Sequence, residues 1–471
     1  MPSYDFQEIR RFIERNREAI VRDISRLVAI LSVEEAPAAD APYGKGPRAA
    51  LEEALCIARE LGLETGDCKG RMGWAEVCGA QSDVLLSTIT HVDVVPAGSG
   101  WDGDPFTLKE REGYLIGRGV IDDKGPTVLC LYALCFLKEQ GLPLRYPVRA
   151  LIGTSEETGM DDIGYYLAEN PAPAFCFSPD AEFPLCNGEK GIFQGRFLAR
   201  EDTADSGGIL ELAGGTAINA VCAHASALIR SSRIEWPQEA DVAVRPEGDF
   251  WRIEAHGIGG HASLPQNTKS AIGILIAYLL KTDVGTERER AFLTLASRLH
   301  AAWDGSALGI AADDGKFPPL TIVGGMIGME NGRLFQTFDC RYPTNTSAEN
   351  LTRMLSVQAG ETASVEVITD APPFYIEADH PAIMACLNSY REVTGEDPKP
   401  FTIGGGTYAR KFPLAVSFGP ERTSRPRPPF AGAMHSANEA ACLDELLEAL
   451  EIYIRTLLRL QQLDPKDFLK E

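Results

Sequence analysis

The chain lacks any run of lysine or arginine that could form a phosphate-binding stripe. Its 45 Lys and Arg are outnumbered by 67 Asp and Glu, a formal charge of −22, so nucleic acid and anionic membrane surfaces are poor partners. It also lacks a long apolar run: Val128–Leu137 and Ala271–Leu280 are about half the ~20 residues a membrane-spanning helix requires, and they read as buried helices. The first turns carry Arg10, Arg11, Glu14, Arg15 and Arg17 where a secretory signal would be apolar, so a cytoplasmic location is expected. The eleven cysteines, an odd number, show neither CxxC nor CxH spacing, and most sit in apolar surroundings. That excludes a disulfide framework and a zinc knuckle, leaving small buried hydrophobes in a reducing compartment. Short-period repeats and low-complexity segments are absent as well.

What remains is the composition of a soluble globular protein, 44% hydrophobic and 24% charged, and its 471 residues are enough for two to four compact units. Helical apolar spacing over 5–31 predicts an opening amphipathic helix, and a second is expected over 47–62. Short β-rich runs follow at Val84–Thr90, Val148–Gly153 and Ala174–Ser178, each ending in a polar or glycine-rich loop. The Pro126–Gln140 helix lies between the first two. Strands alternating with helices predict an α/β sheet whose strand ends carry the chemistry.

Past residue 188 the pattern changes to strands near 192–200, 217–230, 249–256, 319–325 and 333–342. Helices are expected near 268–281, 286–301 and 347–359, and a helix over 380–395, a tight Gly404–Gly406 loop and a long 436–462 helix close the chain. The simplest account is a catalytic α/β domain of mixed sheet and flanking helices, residues 1–187 and 379–471, interrupted by an inserted α+β domain, residues 188–378.

Five polar segments stand at the ends of these elements. In His91-Val92-Asp93, side chains two apart on extended chain point the same way, so the Asp93 carboxylate can fix the His91 tautomer. Gly117–Gly125 holds the pair Asp122-Asp123 between glycines; read alone, it is a solvated turn. Glu156-Glu157 follows the Val148–Gly153 strand, and two such carboxylates facing one cleft would repel severely without a cation beside them. Asp180 follows the next strand, and His435 precedes the final helix.

Each signal is weak by itself, but together they put His91, Asp122, Glu156, Glu157, Asp180 and His435 along one edge of one sheet. Carboxylates mixed with imidazoles suit zinc, with cobalt or manganese as substitutes. Two divalent ions would be balanced by Asp122, Glu157, Asp180 and a bridging hydroxide. Glu156 is then left uncoordinated, as a general base should be.

At this point the motifs resemble the ArgE/DapE-type di-zinc metallopeptidases, a family of aminoacylases, carboxypeptidases and dipeptidases. The segments His91–Gly98, Gly117–Gly125, Thr154–Gly159, Ser178–Pro184 and Met434–Ala440 occur in family order and spacing. Gly404-Gly405-Gly406-Thr407-Tyr408-Ala409-Arg410 is most similar to the dipeptidase V branch. The resemblance implies one zinc held by His91 and Asp180, another by Glu157 and His435, and Asp122 bridging them. It also implies Asp93 orienting His91, Glu156 as acid/base, and a cis peptide between Asp122 and Asp123. The insertion would be a lid. There Asn219, in Gly214–Asn219, would contact substrate, His261 would hydrogen-bond the oxyanion, and Arg341, assisted by Arg410, would capture a substrate carboxylate with its guanidinium fork. The sequence departs from the family pattern at Cys222, where proline is common, and at Gly260, where Ala or Ser usually precedes the histidine.

The expected activity is hydrolysis of small peptides, dipeptides foremost, with hydroxide attacking the scissile carbonyl and Glu156 moving the proton. An N-acyl amino acid deacylase or carboxypeptidase on the same scaffold is the alternative. Gly257–Ala262 formally fits a dinucleotide fingerprint, but Pro265 interrupts the helix that should receive the pyrophosphate, and no acidic residue stands about twenty positions on. A scaffold that had lost its metals should show a damaged ligand set, and this one is whole. His224, His256, His300 and His380 have no carboxylate at useful spacing and read as ordinary residues. At roughly 190 residues the insertion exceeds a ferredoxin-like unit of about 100, which favours a monomer whose lid contains its own pseudo-partner.

Overall fold

A computed structural model describes residues 6–81, 83–200 and 208–469, and the chain divides into two compact units. One comprises residues 1–187, 376–401 and 406–471, the other residues 188–375 and 402–405.

In the first unit a sheet runs in the order Glu64–Asp67, Met72–Val77, Val148–Gly153, Leu86–His91, Phe175–Ser178, Ala415–Ser417. The last four strands are mutually parallel and the first two antiparallel. Parallel strands are buried on both faces and therefore read as continuous apolar runs: every residue of Leu86–His91 and Phe175–Ser178 is buried. Helix Lys124–Glu139 packs on this sheet and is buried on all sides from Lys124 to Leu137, enclosed by helices Gln7–Val28 and Leu443–Leu460. The amphipathic opening helix buries Ile9, Phe12, Ile13, Ile20, Ile24 and Leu27, a 3.6-residue stripe. It starts at Gln7; residue 5 lies outside the described residues.

Leu86–His91 lies between Val148–Gly153 and Phe175–Ser178, so their carboxyl ends share one sheet edge, with His91 level with Gly153. The His91, Glu156-Glu157 and Asp180 loops leave from this edge, where open α/β sheets place their ligands, whereas the expectation that Asp122 and His435 share it is corrected: their loops flank a separate three-stranded sheet that contains Tyr114–Ile116 and Ala440–Cys442.

The last helix is shorter than expected. It spans Leu443–Leu460, not 436–462, because His435 and Asn438 take positive φ (62° and 56°) and Ala440–Cys442 pairs instead with Tyr114–Ile116. This strand pairing brings the His435 loop to the Gly117–Gly125 loop, where Gly117 N donates to Glu439 O at 3.0 Å.

The second unit is an antiparallel sheet in the order Val242–Glu247, Phe250–His256, His224–Ile229, Ile209–Gly214, Ile327–Glu330, Arg333–Tyr342, Gly191–Ala199, Ala363–Ala371. Thr321–Val323 pairs in addition with Arg333–Tyr342, so a four-stranded and a five-stranded half join through a single residue pair, Gly214 with Ile327. Helices Ala271–Lys281 and Glu287–Ala301 pack together, the former also on the first half, and Ala348–Ala359 packs on Ala363–Ala371 of the second. Four of these strands are not anticipated from sequence: Ile209–Gly214, Ile327–Glu330, Val242–Glu247 and Ala363–Ala371. The last two form the sheet's edges, where the charged residues Arg245, Glu247, Glu366 and Asp370, and Pro246 in one of them, dilute the strand pattern.

Candidate metal centre

His91 ends its strand fully buried. Its ring Nδ1 faces two acceptors, the Asp93 backbone carbonyl at 3.0 Å and the Asp93 carboxylate at 3.4 Å. Nδ1 therefore carries the proton of the neutral ring, and Nε2 presents a lone pair. The Asp93 carboxylate has a second task, accepting from Glu157 N at 3.1 Å, so it fixes the glutamate loop as well as the imidazole. The T-shaped ring of Tyr408 lies 6.3 Å from that of His91, and Asp123 accepts from His91 N at 3.2 Å.

Two trios of ligand-type atoms converge in this unit. His91, Asp122 and Asp180 form one; Asp122, Glu157 and His435 form the other; in each, one ligand atom per residue lies within 4.8 Å of the rest. Asp122 belongs to both through different oxygens: Oδ1 lies 3.0 Å from His91 Nε2, and Oδ2 lies 2.8 Å from His435 Nε2. His91 Nε2 is 3.8 Å from Asp180 Oδ2, and His435 Nε2 is 3.2 Å from Glu157 Oε1. The peptide between Asp122 and Asp123 is cis.

A pair of cations fits this arrangement on three observations. His91 Nε2 and Glu157 Oε1 are buried without a hydrogen-bond partner, a costly state for atoms whose common property is metal ligation. Burial, then the charge of Asp180, pushes Glu156 well above the ordinary carboxylate range, and burial with Asp122 does the same to Asp180. Burial works to raise Asp122 too, but the imidazoles of His435 and His91 outweigh it and hold it low. Acidic groups crowded this closely need positive charge among them. The donor set is also the mixed carboxylate and imidazole set that suits zinc. Glu156 stands outside both trios.

Two supports had no role assigned from sequence. Arg118 and Glu439 form a fully buried ion pair at 2.5 Å. Asp162 accepts from Thr154 N at 2.9 Å and from Tyr408 Oη at 2.5 Å, which ties the glutamate loop to the glycine-rich motif. Both pairs join residues far apart in the chain, 321 and 246 positions respectively, which spacing along a sequence does not reveal.

In the second unit, Ala220–Val221 pairs with Gly260–His261, so Asn219 stands next to and His261 within one short ladder, and both are exposed. Ser263 N donates to His261 Nδ1 at 3.2 Å, which leaves the ring proton on Nε2. Gly260 suits its place: a Cβ there would meet Thr268 Cγ2 at 2.6 Å. Cys222 is buried with its thiol on His224 O. Arg341 corrects the expectation of an open guanidinium fork. Its Nε and Nη2 donate to Asp339 at 2.6 and 3.0 Å and its Nη1 to Gly404 O at 3.1 Å, so the bidentate edge is taken within the unit. Arg410 lies half-buried in the Tyr408–Lys411 turn of the first unit.

The dinucleotide reading fails on geometry. Gly260–His261 is strand, and the next element is the 3-10 turn Pro265–Asn267, so the glycines do not open a helix. Of the other histidines, His224 and His256 face each other across two strands, His300 is half-buried in the second unit, and His380 caps helix Pro381–Thr394.

Residues 88–459 match the description of peptidase family M20/M25/M40. The chain is 32% identical over 463 residues to a Beta-Ala-Xaa dipeptidase of Lactobacillus delbrueckii subsp. lactis, covering 95% of this chain and 97% of that protein. Its fold is similar to that of the di-peptidase Dug1p from Saccharomyces cerevisiae (TM-score 0.59, 13% identity, 98% of this chain and 99% of that one). It is also similar to that of human carnosine dipeptidase 1 (TM-score 0.57, 14% identity, 98% and 100%).

Proposed function

The chain belongs to peptidase family M20/M25/M40, whose members hydrolyse peptide bonds, and we propose that within it this protein is a di-zinc dipeptidase. The observation that carries this reading is the position of Asp122, one oxygen toward each of two ligand trios. His91 and Asp180 are assigned to one ion, Glu157 and His435 to the other, and Asp122 to both. When bound, the ions would supply Lewis acidity, polarising the scissile carbonyl and acidifying water.

The chain's own groups do the rest. Asp93 keeps the His91 Nε2 lone pair aimed at the first trio. Glu156, outside both trios, takes a proton from the attacking water and delivers it to the leaving nitrogen. His261 carries its proton on Nε2, the state needed to donate to an oxyanion, and is assigned that role; Asn219, next to the same ladder, is assigned to the substrate. Arg341 retains one N–H on each Nη beyond those engaged by Asp339 and Gly404, which it can offer to a substrate carboxylate, and Arg410 is the second cation assigned to that task.

The preference for dipeptides is supported by the relatives' names and their near full-length coverage. We further read the protein as a monomer, because the inserted sheet is built from two joined halves and so carries within one chain what a partner would supply. A cytoplasmic home is supported by the cysteines, eight of which are buried among apolar side chains. Among the described residues no helix is long and apolar enough to cross a membrane.

Assay of Ala-Ala and β-Ala dipeptides beside N-acetyl and N-succinyl amino acids tests the reading. Turnover of the dipeptides is expected; turnover of the acylated compounds alone would reject a dipeptidase in favour of a deacylase.

A further inference from the structure

Arg118 and Glu439 are 1% and 0% exposed, and neither belongs to a ligand trio. A buried ion pair is a poor stabilising device compared with apolar packing, so its contacts deserve a structural reason. Glu439 Oε1 accepts from the backbone N–H of Ile121 at 3.2 Å and of Asp122 at 3.4 Å. Arg118 Nη2 lies within donating distance of Pro96 O, Ala97 O and His435 O at 3.3, 3.2 and 3.4 Å. The pair thus touches the loop that follows His91, the peptide that carries Asp122, and the backbone of His435. Those are three segments of the two trios, and Asp122 is the residue the trios share.

We propose that Arg118 and Glu439 are positioning residues that fix the spacing between the two trios, so that the two cation sites are filled as a coupled pair and not independently. The mechanism is mechanical. Drawing Asp122 toward a cation in one trio shifts its peptide, that shift is resisted by the Glu439 carboxylate, and the guanidinium passes the constraint to His435 and to the Pro96 loop. Partners that orient metal ligands are worth ten- to a hundredfold in metal affinity, and here one pair acts on both sites. This inference rests on the two-cation reading above.

The test uses the full-length chain stripped with a chelator and titrated with Zn(II) against a chromophoric competitor, and separately with Co(II) followed by its visible spectrum. The unsubstituted chain should take two equivalents; failure of that result overturns the two-cation reading itself. Glu439→Gln and Arg118→Lys, measured well below their melting temperatures, should bind at least one cation ten- to a hundredfold more weakly, with an altered cobalt spectrum. A pair that merely stabilises the fold would lower the melting temperature and leave affinity and spectrum unchanged, and that outcome overturns the proposal. Should either variant fail to fold, hydrogen exchange on the unsubstituted chain decides. The 117–123 and 432–439 segments should gain protection together at the first equivalent, and stepwise gain, one segment per equivalent, contradicts the coupling.

Discussion

Glu156 and Glu157 differ by one peptide unit and by everything around them. Glu157 has its backbone N–H held by Asp93 and its carboxylate beside His435, whereas Glu156 belongs to neither trio. Glu156→Gln keeps the shape and removes the proton acceptor. It should lower kcat by about 10²- to 10⁴-fold while metal content, read by elemental analysis, stays at the unsubstituted level. His435→Ala should lose metal from the second trio, and equal metal loss in both variants would show Glu156 to be a ligand. Asp122 and His435 arrive through the pairing of Ala440–Cys442 with Tyr114–Ile116, whereas His91, Glu157 and Asp180 were legible in the sequence, each following a strand of the parallel sheet, where side chains are displayed. Arg341 was not. Its position on a strand could be read, but Asp339, two residues earlier on the same face, could not be seen to claim its fork.

At the scale of elements, the Val148–Gly153 strand ends against a wall. A Cβ on Gly153 would lie 2.0 Å from Tyr408 Oη and 2.8 Å from Asp162 Oδ2. Gly153→Ala should therefore cost about 1–3 kcal/mol through overpacking and reduce activity by displacing the Thr154–Glu157 loop, measurable as a lower melting temperature together with a lower kcat. In the second unit, burial pushes His300 down to about 4 against a weak pull from Gln336. The unfolded chain takes up a proton near pH 6.5 and the folded unit only near 4. Stability is thus fully present above pH 6.5 and falls by about 3 kcal/mol as pH drops through that window. His300→Gln should flatten the dependence, read as melting temperatures at pH 7 and pH 5; an unchanged slope would mean that His300 is not its source. Strands rich in buried β-branched and aromatic residues were legible, whereas Val242–Glu247 and Ala363–Ala371 were not, because edge strands half in solvent have no continuous apolar signature. The last helix starts later than its sequence pattern predicts because the left-handed turns at His435 and Asn438 occur without glycine.

At the scale of the molecule, the chain combines an α/β unit that holds every ligand-type residue of the two trios with an α+β unit inserted between the Asp180 and His435 segments. That insertion was legible as a change of pattern after residue 188, since alternating strands and helices gave way to strand-rich sequence without ligand motifs. Chelation should abolish hydrolysis, and zinc should restore it only as the second equivalent is added. The most direct measurement is an anomalous-scattering map from crystals of the zinc-loaded protein. Two peaks are predicted, one beside His91 and Asp180 and one beside Glu157 and His435, with an oxygen of Asp122 on each. A single peak, or peaks away from Asp122, would contradict the account.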